Sequence, residues 1–213
     1  FINNVRTGAA GSGDNVIIYG QPYTDLRMMD GTVPFGKKNF DVDGAIPDPP
    51  AYFAEQFSGY LYNKGITADS SVTTTRIMKW LDKPDTAIRL PITRHLSPNL
   101  NEIIRHTNLK SINLFAEAIL KAIGKIKKGE GSENAGIEVV KNFWAAKKVD
   151  LKGFVMEDAC GLSRKNKISA GQLCEMLRVI RWEKSYDSFR QSLPVAGKSG
   201  GMAGMLNNTF AEN

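Results

Sequence analysis

Ser111 and Asn113 are the two residues of this sequence whose types and spacing could serve a reaction. They lie in residues 106–120, where apolar residues at helical spacing predict a helix that begins at about Ser111. A serine hydroxyl and an asparagine amide each donate and accept hydrogen bonds. A structural interpretation is also open, because Ser111 could cap the helix and Asn113 could be a polar residue of its first turn. The spacing alone does not decide between the two.

The start of the chain carries the signals of a β-rich region. The apolar run at 16–19 and the alternating run at 39–43 each predict a strand. Three glycines are predicted turn positions: Gly31, Gly36 and Gly44. The region before residue 48 is therefore expected to contain a sheet.

Helices dominate the remainder of the predicted structure. Asp48 predicts the N-cap of a helix that ends before Gly65, and residues 66–83 predict strand and loop. Residues 86–94 predict an extended segment, and residues 154–156 a short strand. Apolar periodicity predicts four more helices, at or near Ser97-Pro98, Ser111, Ile137 and Ser169.

The chain has 213 residues, enough for one large domain or two small ones. Composition and charge change near residues 85–95, which predicts a boundary there. The hydrophobic fraction of 42% is typical of globular proteins, and no apolar run approaches the roughly 20 residues that span a membrane. The chain begins without Met or a signal-peptide pattern, and it ends without closing an element, so we expect a fragment of a longer protein.

The net charge of +6 comes from the second half of the chain. Residues 109–213 carry 17 Lys and Arg against 11 Asp and Glu, whereas residues 1–108 carry 11 of each. The excess is typical of solvated helix ends, and the alternative is attraction to an anionic partner. No nucleic-acid-binding motif accompanies it, so nucleic acid is not an expected partner.

No cofactor and no metal site are expected. The two histidines and two cysteines do not occur at metal-ligand spacing. Cys174 lies on a predicted apolar helix face, and Cys160 lies in a predicted loop that contains a glycine. Such positions are typical of packed, reduced thiols, so we predict that the two are not bonded to each other, although a disulfide is possible.

Three ordered blocks of the second half identify a family. Residues 97–120 contain the Ser-x-Asn motif described above. Residues 158–170 are similar to an Asp-x-Ser-Gly-Leu-Ser-Arg-x-Asn segment, with Cys160 in place of the usual serine, and residues 192–197 to a Ser-Leu-Pro-x-Ala-Gly stretch. Together they resemble D-alanyl-D-alanine carboxypeptidase/endopeptidases, the class C low-molecular-mass penicillin-binding proteins.

The resemblance implies a serine-type carboxypeptidase/endopeptidase that acts on peptidoglycan stem peptides through an acyl-enzyme, binds β-lactams and works in the periplasm or cell envelope. By the same resemblance, Ser111 relays a proton to the leaving D-Ala. Asn113 hydrogen-bonds the substrate's penultimate amide and the Lys beside the nucleophile. Both side chains should then line one concavity that opens toward a strand surface around Phe154 and Ser192.

The resemblance also implies an α+β fold. Residues 1–88 would be the C-terminal part of a β-rich inserted domain, and residues 89–213 the mostly helical part of a penicillin-binding domain. The family's Ser-x-x-Lys, which holds the nucleophile, is absent from the sequence, and so is Lys-Thr-Gly. Lys198-Ser-Gly approximates the latter, but the family places its third motif further downstream, so the chain is expected to stop short of it. The alternatives are a non-catalytic homologue or cell-wall-binding module, and an unrelated α+β domain.

Overall fold

The computed structural model describes residues 1–68, 70–83, 88 and 90–205. The chain forms two compact units, Phe1–Ile92 and Thr93–Asn213. The first unit contains a small sheet and two helices, and the second is mostly helical. The predicted α+β class is confirmed. Part of the predicted extended segment at 86–94 lies outside the described residues.

The sheet of the first unit has three strands, β1 (Ile2–Gly8), β2 (Asn15–Tyr19) and β3 (Met28–Pro34). β3 lies in the middle, parallel to β1 and antiparallel to β2. The strand predicted at 16–19 is confirmed as β2.

Three of the β-region predictions are wrong, and one of them is the turn at Gly44, which lies in irregular chain. Residues 39–43 form no strand, because alternation alone does not supply a neighbouring strand, and Asn39 adopts a left-handed φ of 55°. Gly31 is not a turn but a residue of β3, where φ is 126°. A Cβ atom there would collide with the carbonyl of Asn15, so glycine permits β2 to pair closely at this point.

The helices of the first unit are α1 (Pro49–Asn63) and α2 (Thr75–Trp80). The predicted cap is confirmed, since Asp48 Oδ1 accepts from the Ala51 N–H at 3.2 Å. The strand and loop predicted for 66–83 are wrong in part, because this range contains α2. The Thr-rich composition that suggested a strand supplies a cap instead: Thr74 Oγ1 accepts from the Ile77 N–H at 3.2 Å.

The second unit contains five helices among the described residues. Four correspond to the predicted ones, and the last was not predicted: α3 (Leu100–Lys110), α4 (Asn113–Lys128), α5 (Glu133–Ala146), α6 (Ala170–Ile180) and α7 (Tyr186–Ser192). The strand predicted at 154–156 is reduced to one isolated bridge between Val155 and Lys167. Ser169 caps α6 in a reciprocal capping box with Gln172.

The core of the second unit is centred on the hairpin of α4 and α5. Leu120 and Ala135 are buried in it, at 2% and 3% exposure. A Cβ atom on Gly136 would collide with the Leu120 carbonyl, and one on Gly124 would lie 2.8 Å from the Gly136 nitrogen. The two helices therefore approach backbone to backbone, at positions where only glycine fits.

The excess lysines lie largely at helix ends, as predicted. Lys125, Lys127 and Lys128 fall in the last turn of α4, where cations are favoured. Lys128 pairs with Glu138, and Lys125 Nζ donates to the Gly129 carbonyl at 2.9 Å. Among the helices of the described residues, none has the length and apolar character needed to cross a membrane.

Candidate active site

Ser111 is the residue at which α3 ends and the chain turns into α4. Its backbone is left-handed, with φ 55° and ψ 50°, and its N–H donates to the Thr107 carbonyl. α4 begins at Asn113, and its N-cap is Ile112, which makes no side-chain cap bond. The interpretation of Ser111 as the N-cap of α4 is therefore wrong. A residue in this conformation belongs to the preceding helix end.

The side chains of Ser111 and Asn113 are both exposed. Among the described residues, neither side chain has a hydrogen-bond partner. The prediction that Asn113 lies in the first turn of a helix is confirmed. Neither side chain is consumed by capping, so both retain their capacity to donate and accept hydrogen bonds.

An apolar cavity of about 690 Å³ lies between α3 and α4. Leu100, Ile103, Phe115 and Ile119 line it, whereas Ser111 and Asn113 do not. The predicted strand surface around Phe154 and Ser192 is wrong. The first segment has only its single bridge, and Ser192 is the last residue of α7, after which Leu193 is extended. The predicted shared concavity is not formed by these segments.

Glu117 connects α4 to the second family-like block. It lies one helical turn after Asn113, on the same side of the helix. Its Oε1 accepts from the N–H groups of Ala159 and Cys160, both at 2.9 Å. The Glu117 Oε2 atom is buried and has no hydrogen-bond partner. The loop that starts at Asp158 is thereby held beside the start of α4.

Asp158 organises this loop by accepting from its backbone. Its Oδ1 accepts from the Gly161 N–H at 2.6 Å and from Asn166 Nδ2 at 2.8 Å, and its Oδ2 accepts from the Ser163 N–H at 2.5 Å. Burial raises the pKa of Asp158, but the hydrogen bonds from Asn166, Ser163 and Gly161 outweigh it, so that pKa is lowered. The loop conformation thus depends on an ionised carboxylate.

Cys160 lies between the two carboxylates. A hydrogen bond with the Leu162 backbone lowers the pKa of the Cys160 thiol. Burial, the hydrogen bond to Glu117 and the charges of Asp158 and Glu117 outweigh it, so the pKa of this thiol is raised. A neutral thiol is the expected state, and both cysteines are free.

Glu117, Asp158 and Cys160 form the one group among the described residues whose donor atoms are close enough to share a metal ion, all within 4.8 Å. Three of the four carboxylate oxygens already accept N–H groups. That leaves one free oxygen and a protonated thiol, which is fewer ligands than a structural metal requires. The group is better explained as the anchor of the loop.

The third family-like block lies against the end of α3. Asn108 Nδ2 donates to Ser192 Oγ at 2.9 Å, and Ser192 is 2% exposed. A Cβ atom on Gly200 would lie 3.1 Å from the Leu109 carbonyl. These contacts place Ser192 and Gly200 beside the last turn of α3, which Ser111 follows.

Lys198-Ser-Gly lies in a turn that leads into a short 3-10 helix (Gly200–Met202). Ser199 Oγ accepts from the Val195 N–H at 2.9 Å. The family's Lys-Thr-Gly belongs to a strand, and this turn does not provide one. The expectation that Lys198 is not the third motif remains a prediction.

Sequence reasoning missed Glu117, Asn108 and Asn166 as members of this site. A signal existed for Glu117, which follows Asn113 by four residues, the spacing of neighbours on one helix face. No sequence signal links Asn108 with Ser192, because their pairing depends on the packing of α3 against α7.

The fold of this chain is similar to that of a solved penicillin-binding protein. Penicillin binding protein 4 (dacB) of Haemophilus influenzae, solved in complex with a β-lactam, superposes with a TM-score of 0.73 at 20% identity. The match covers 100% of this chain and 49% of that one.

The chain belongs to the D-Ala-D-Ala carboxypeptidase 3 (S13) family, which matches residues 2–213. The D-alanyl-D-alanine carboxypeptidase of Actinomadura sp. (strain R39) is 29% identical over 99% of this chain and 39% of its own length. The penicillin-sensitive carboxypeptidase A of Dictyostelium discoideum is 25% identical over 81% of this chain and 34% of its length. The family prediction is confirmed, and the chain spans between one third and two fifths of these relatives.

Proposed function

We propose that this chain is part of a serine-type D-Ala-D-Ala carboxypeptidase/endopeptidase that acts on peptidoglycan stem peptides outside the cytoplasm. The observation that carries the proposal is the junction at Ser111. A non-glycine residue adopts a left-handed conformation there, and the exposed side chains of Ser111 and Asn113 have no hydrogen-bond partner among the described residues. Membership of the S13 family and relatives that are D-alanyl-D-alanine carboxypeptidases support this activity.

In the proposed reaction, a serine outside the described residues attacks the carbonyl carbon of the penultimate D-Ala. The C–N bond to the terminal D-Ala breaks, and the leaving amine takes a proton that Ser111 Oγ relays. Asn113 hydrogen-bonds the substrate amide and orients it. Water then hydrolyses the ester, which releases the shortened peptide and restores the serine.

The second block has a supporting role in this proposal. The Glu117 carboxylate holds the loop at Asp158 next to the start of α4 through two N–H groups. Because Asn113 precedes Glu117 by one turn, a rigid loop there fixes the helix end that presents Asn113. The inserted-domain assignment of residues 1–88 also stays a proposal, and the structure divides the chain at Ile92.

The acylation rate with a fluorescent penicillin tests the role of Asn113. In a family-length protein that carries this sequence, Asn113→Ala should slow acylation by about 100-fold, because one preorganised donor is lost. Asn134→Ala is a matched control, since Asn134 is also exposed and also lies in the first turn of a helix, α5. An unchanged rate in a folded Asn113→Ala variant contradicts the proposal.

The 213-residue chain by itself should form no covalent adduct with the same penicillin, because its sequence contains no Ser-x-x-Lys. A denaturing gel that shows a stoichiometric labelled band would overturn this. The alternative function, a non-catalytic homologue or cell-wall-binding module, predicts instead that the family-length protein is not labelled either.

A further inference from the structure

The first unit contains a cleft that the proposed reaction does not use. It has a volume of about 380 Å³ and lies between the turn at Tyr23, the N-terminus of α1 and the helix α2. Three aromatic rings line it, those of Tyr23, Tyr52 and Trp80. Tyr52 is 49% exposed and Trp80 is 81% exposed, so their ring faces are accessible to a ligand.

One wall of the cleft, formed by Tyr23 and Arg76, is held in place by specific contacts. Tyr23 adopts a left-handed φ of 62°, which is rare for a bulky residue, and its N–H donates to the Pro47 carbonyl at 3.3 Å. The Tyr23 ring centroid lies 4.0 Å from the guanidinium carbon of Arg76. Arg76 is also paired with Asp48. A strained backbone that is held by such contacts is a feature of ligand clamps.

The charge of the lining is negative in a chain that is positive overall. The cleft is lined by three carboxylates and one guanidinium, a net charge of −2, against +6 for the whole chain. The guanidinium of Arg76 is neutralised by Asp48 and covered by a ring. Asp25 and Glu55 form no ion pair with any described residue.

We propose that this cleft binds a protonated primary amine, such as the ammonium group of a peptide side chain. The ammonium group is attracted to the faces of Tyr52 and Trp80 and to the carboxylates of Asp25 and Glu55. An anion is repelled by the same carboxylates. A neutral sugar would stack on the rings without an ionic contact. Its binding would therefore not depend on the carboxylates of Asp25 and Glu55.

The test is a titration followed by NMR with Nα-acetyl-lysine methylamide as the cationic probe. Its Nε-acetylated form has the same backbone and no charge, and it serves as the matched neutral probe. The cation should shift the indole N–H signal of Trp80 with a dissociation constant of about 1 mM. The signal of Trp182, which is also 81% exposed but lies in the second unit, should not move.

Variants assign the interaction to the cleft. Trp80→Ala should weaken cation binding about threefold, and the double variant Asp25→Asn, Glu55→Gln about tenfold. Trp182→Ala and Asp14→Asn are the controls and should have no effect. In the Trp80→Ala variant binding is followed through the signals of Tyr52.

Three results would overturn the proposal. They are equal binding of the neutral probe, affinity that is unchanged in the double variant, and shifts at Trp80 caused by an N-acetylglucosamine tetramer but not by the cation. Because binding and not hydrolysis is measured, such a failure leaves the proposed carboxypeptidase function untouched.

Discussion

Two junctions of the second unit have the same backbone shape and different residues. α3 ends at Ser111 with φ 55°, and α4 ends at Gly129 with φ 76°. In both, the N–H of the left-handed residue donates to the carbonyl four residues earlier. Glycine adopts this conformation without strain, whereas a residue with a Cβ atom loses about 1 kcal/mol there. The serine therefore adopts this conformation at a local cost that glycine would avoid.

The two junctions also differ in how closely the helices on either side of them pack. After Gly129 the chain returns along α4, and glycines bring α4 and α5 into backbone contact. After Ser111 the chain instead leaves an open apolar cavity between α3 and α4. One junction is optimised for packing, and the other keeps polar side chains accessible.

The largest expected effect is at the packed junction. Gly136→Ala should lower the free energy of unfolding by about 3 kcal/mol, because its Cβ atom would collide with the Leu120 carbonyl. Chemical denaturation measures this. Gly171→Ala in α6 is the control, since its nearest neighbour is a side-chain atom at 3.9 Å. Equal stability of the two variants would show that the helices do not pack through Gly136.

Exchanging the residues of the two junctions tests whether the serine side chain has a role beyond ending a helix. Ser111→Gly should raise the free energy of unfolding by about 1 kcal/mol, and Gly129→Ser should lower it by a similar amount. In a family-length protein, only Ser111→Gly should also slow acylation by penicillin. A Ser111→Gly variant that gains stability at an unchanged acylation rate would show that the serine side chain has no role in acylation.

The smallest expected effect concerns pH and the loop at Asp158. Its pKa is lowered from 3.8 in the folded state, so its contribution to stability is full above that value and is lost as the pH falls through the folded pKa. Asp158→Asn should therefore lower the melting temperature at pH 6, and the deficit should shrink toward pH 3. Asp187→Asn, on α7, is the control. A deficit that stays constant with pH would mean that the charge of Asp158 is not what stabilises the loop.

The parts of the fold that depend on local chemistry could be predicted from the sequence. Asp48 and Ser169 cap their helices as expected, because the capping hydrogen bond is made to the first turn of the helix that follows. The apolar stripe from Ile137 likewise identified α5. Each of these features needs no information from distant residues.

The parts that failed depend on partners far along the chain. Residues 39–43 alternate like a strand, but no other segment that the structure describes pairs with them. Gly31 was predicted as a turn. Glycine is instead needed there because β2 passes close to its backbone, and the sequence does not show that contact. For the candidate site, Ser111 and Asn113 could be named from a motif. Their left-handed junction and its support by Glu117 required the packing of α4 on a loop 42 residues away.

The glycine contact between α4 and α5 has a further consequence for motion. Amide hydrogens in the buried stretch around Leu120 can exchange with solvent only when the hairpin opens as a whole, so they should be among the slowest in the chain. Asn113 is the first residue of the same continuous helix, about two turns before Leu120. Its backbone is thereby tied to the least mobile part of the unit, while its side chain remains in solvent. We therefore expect the backbone that carries this side chain to be in place before any ligand arrives.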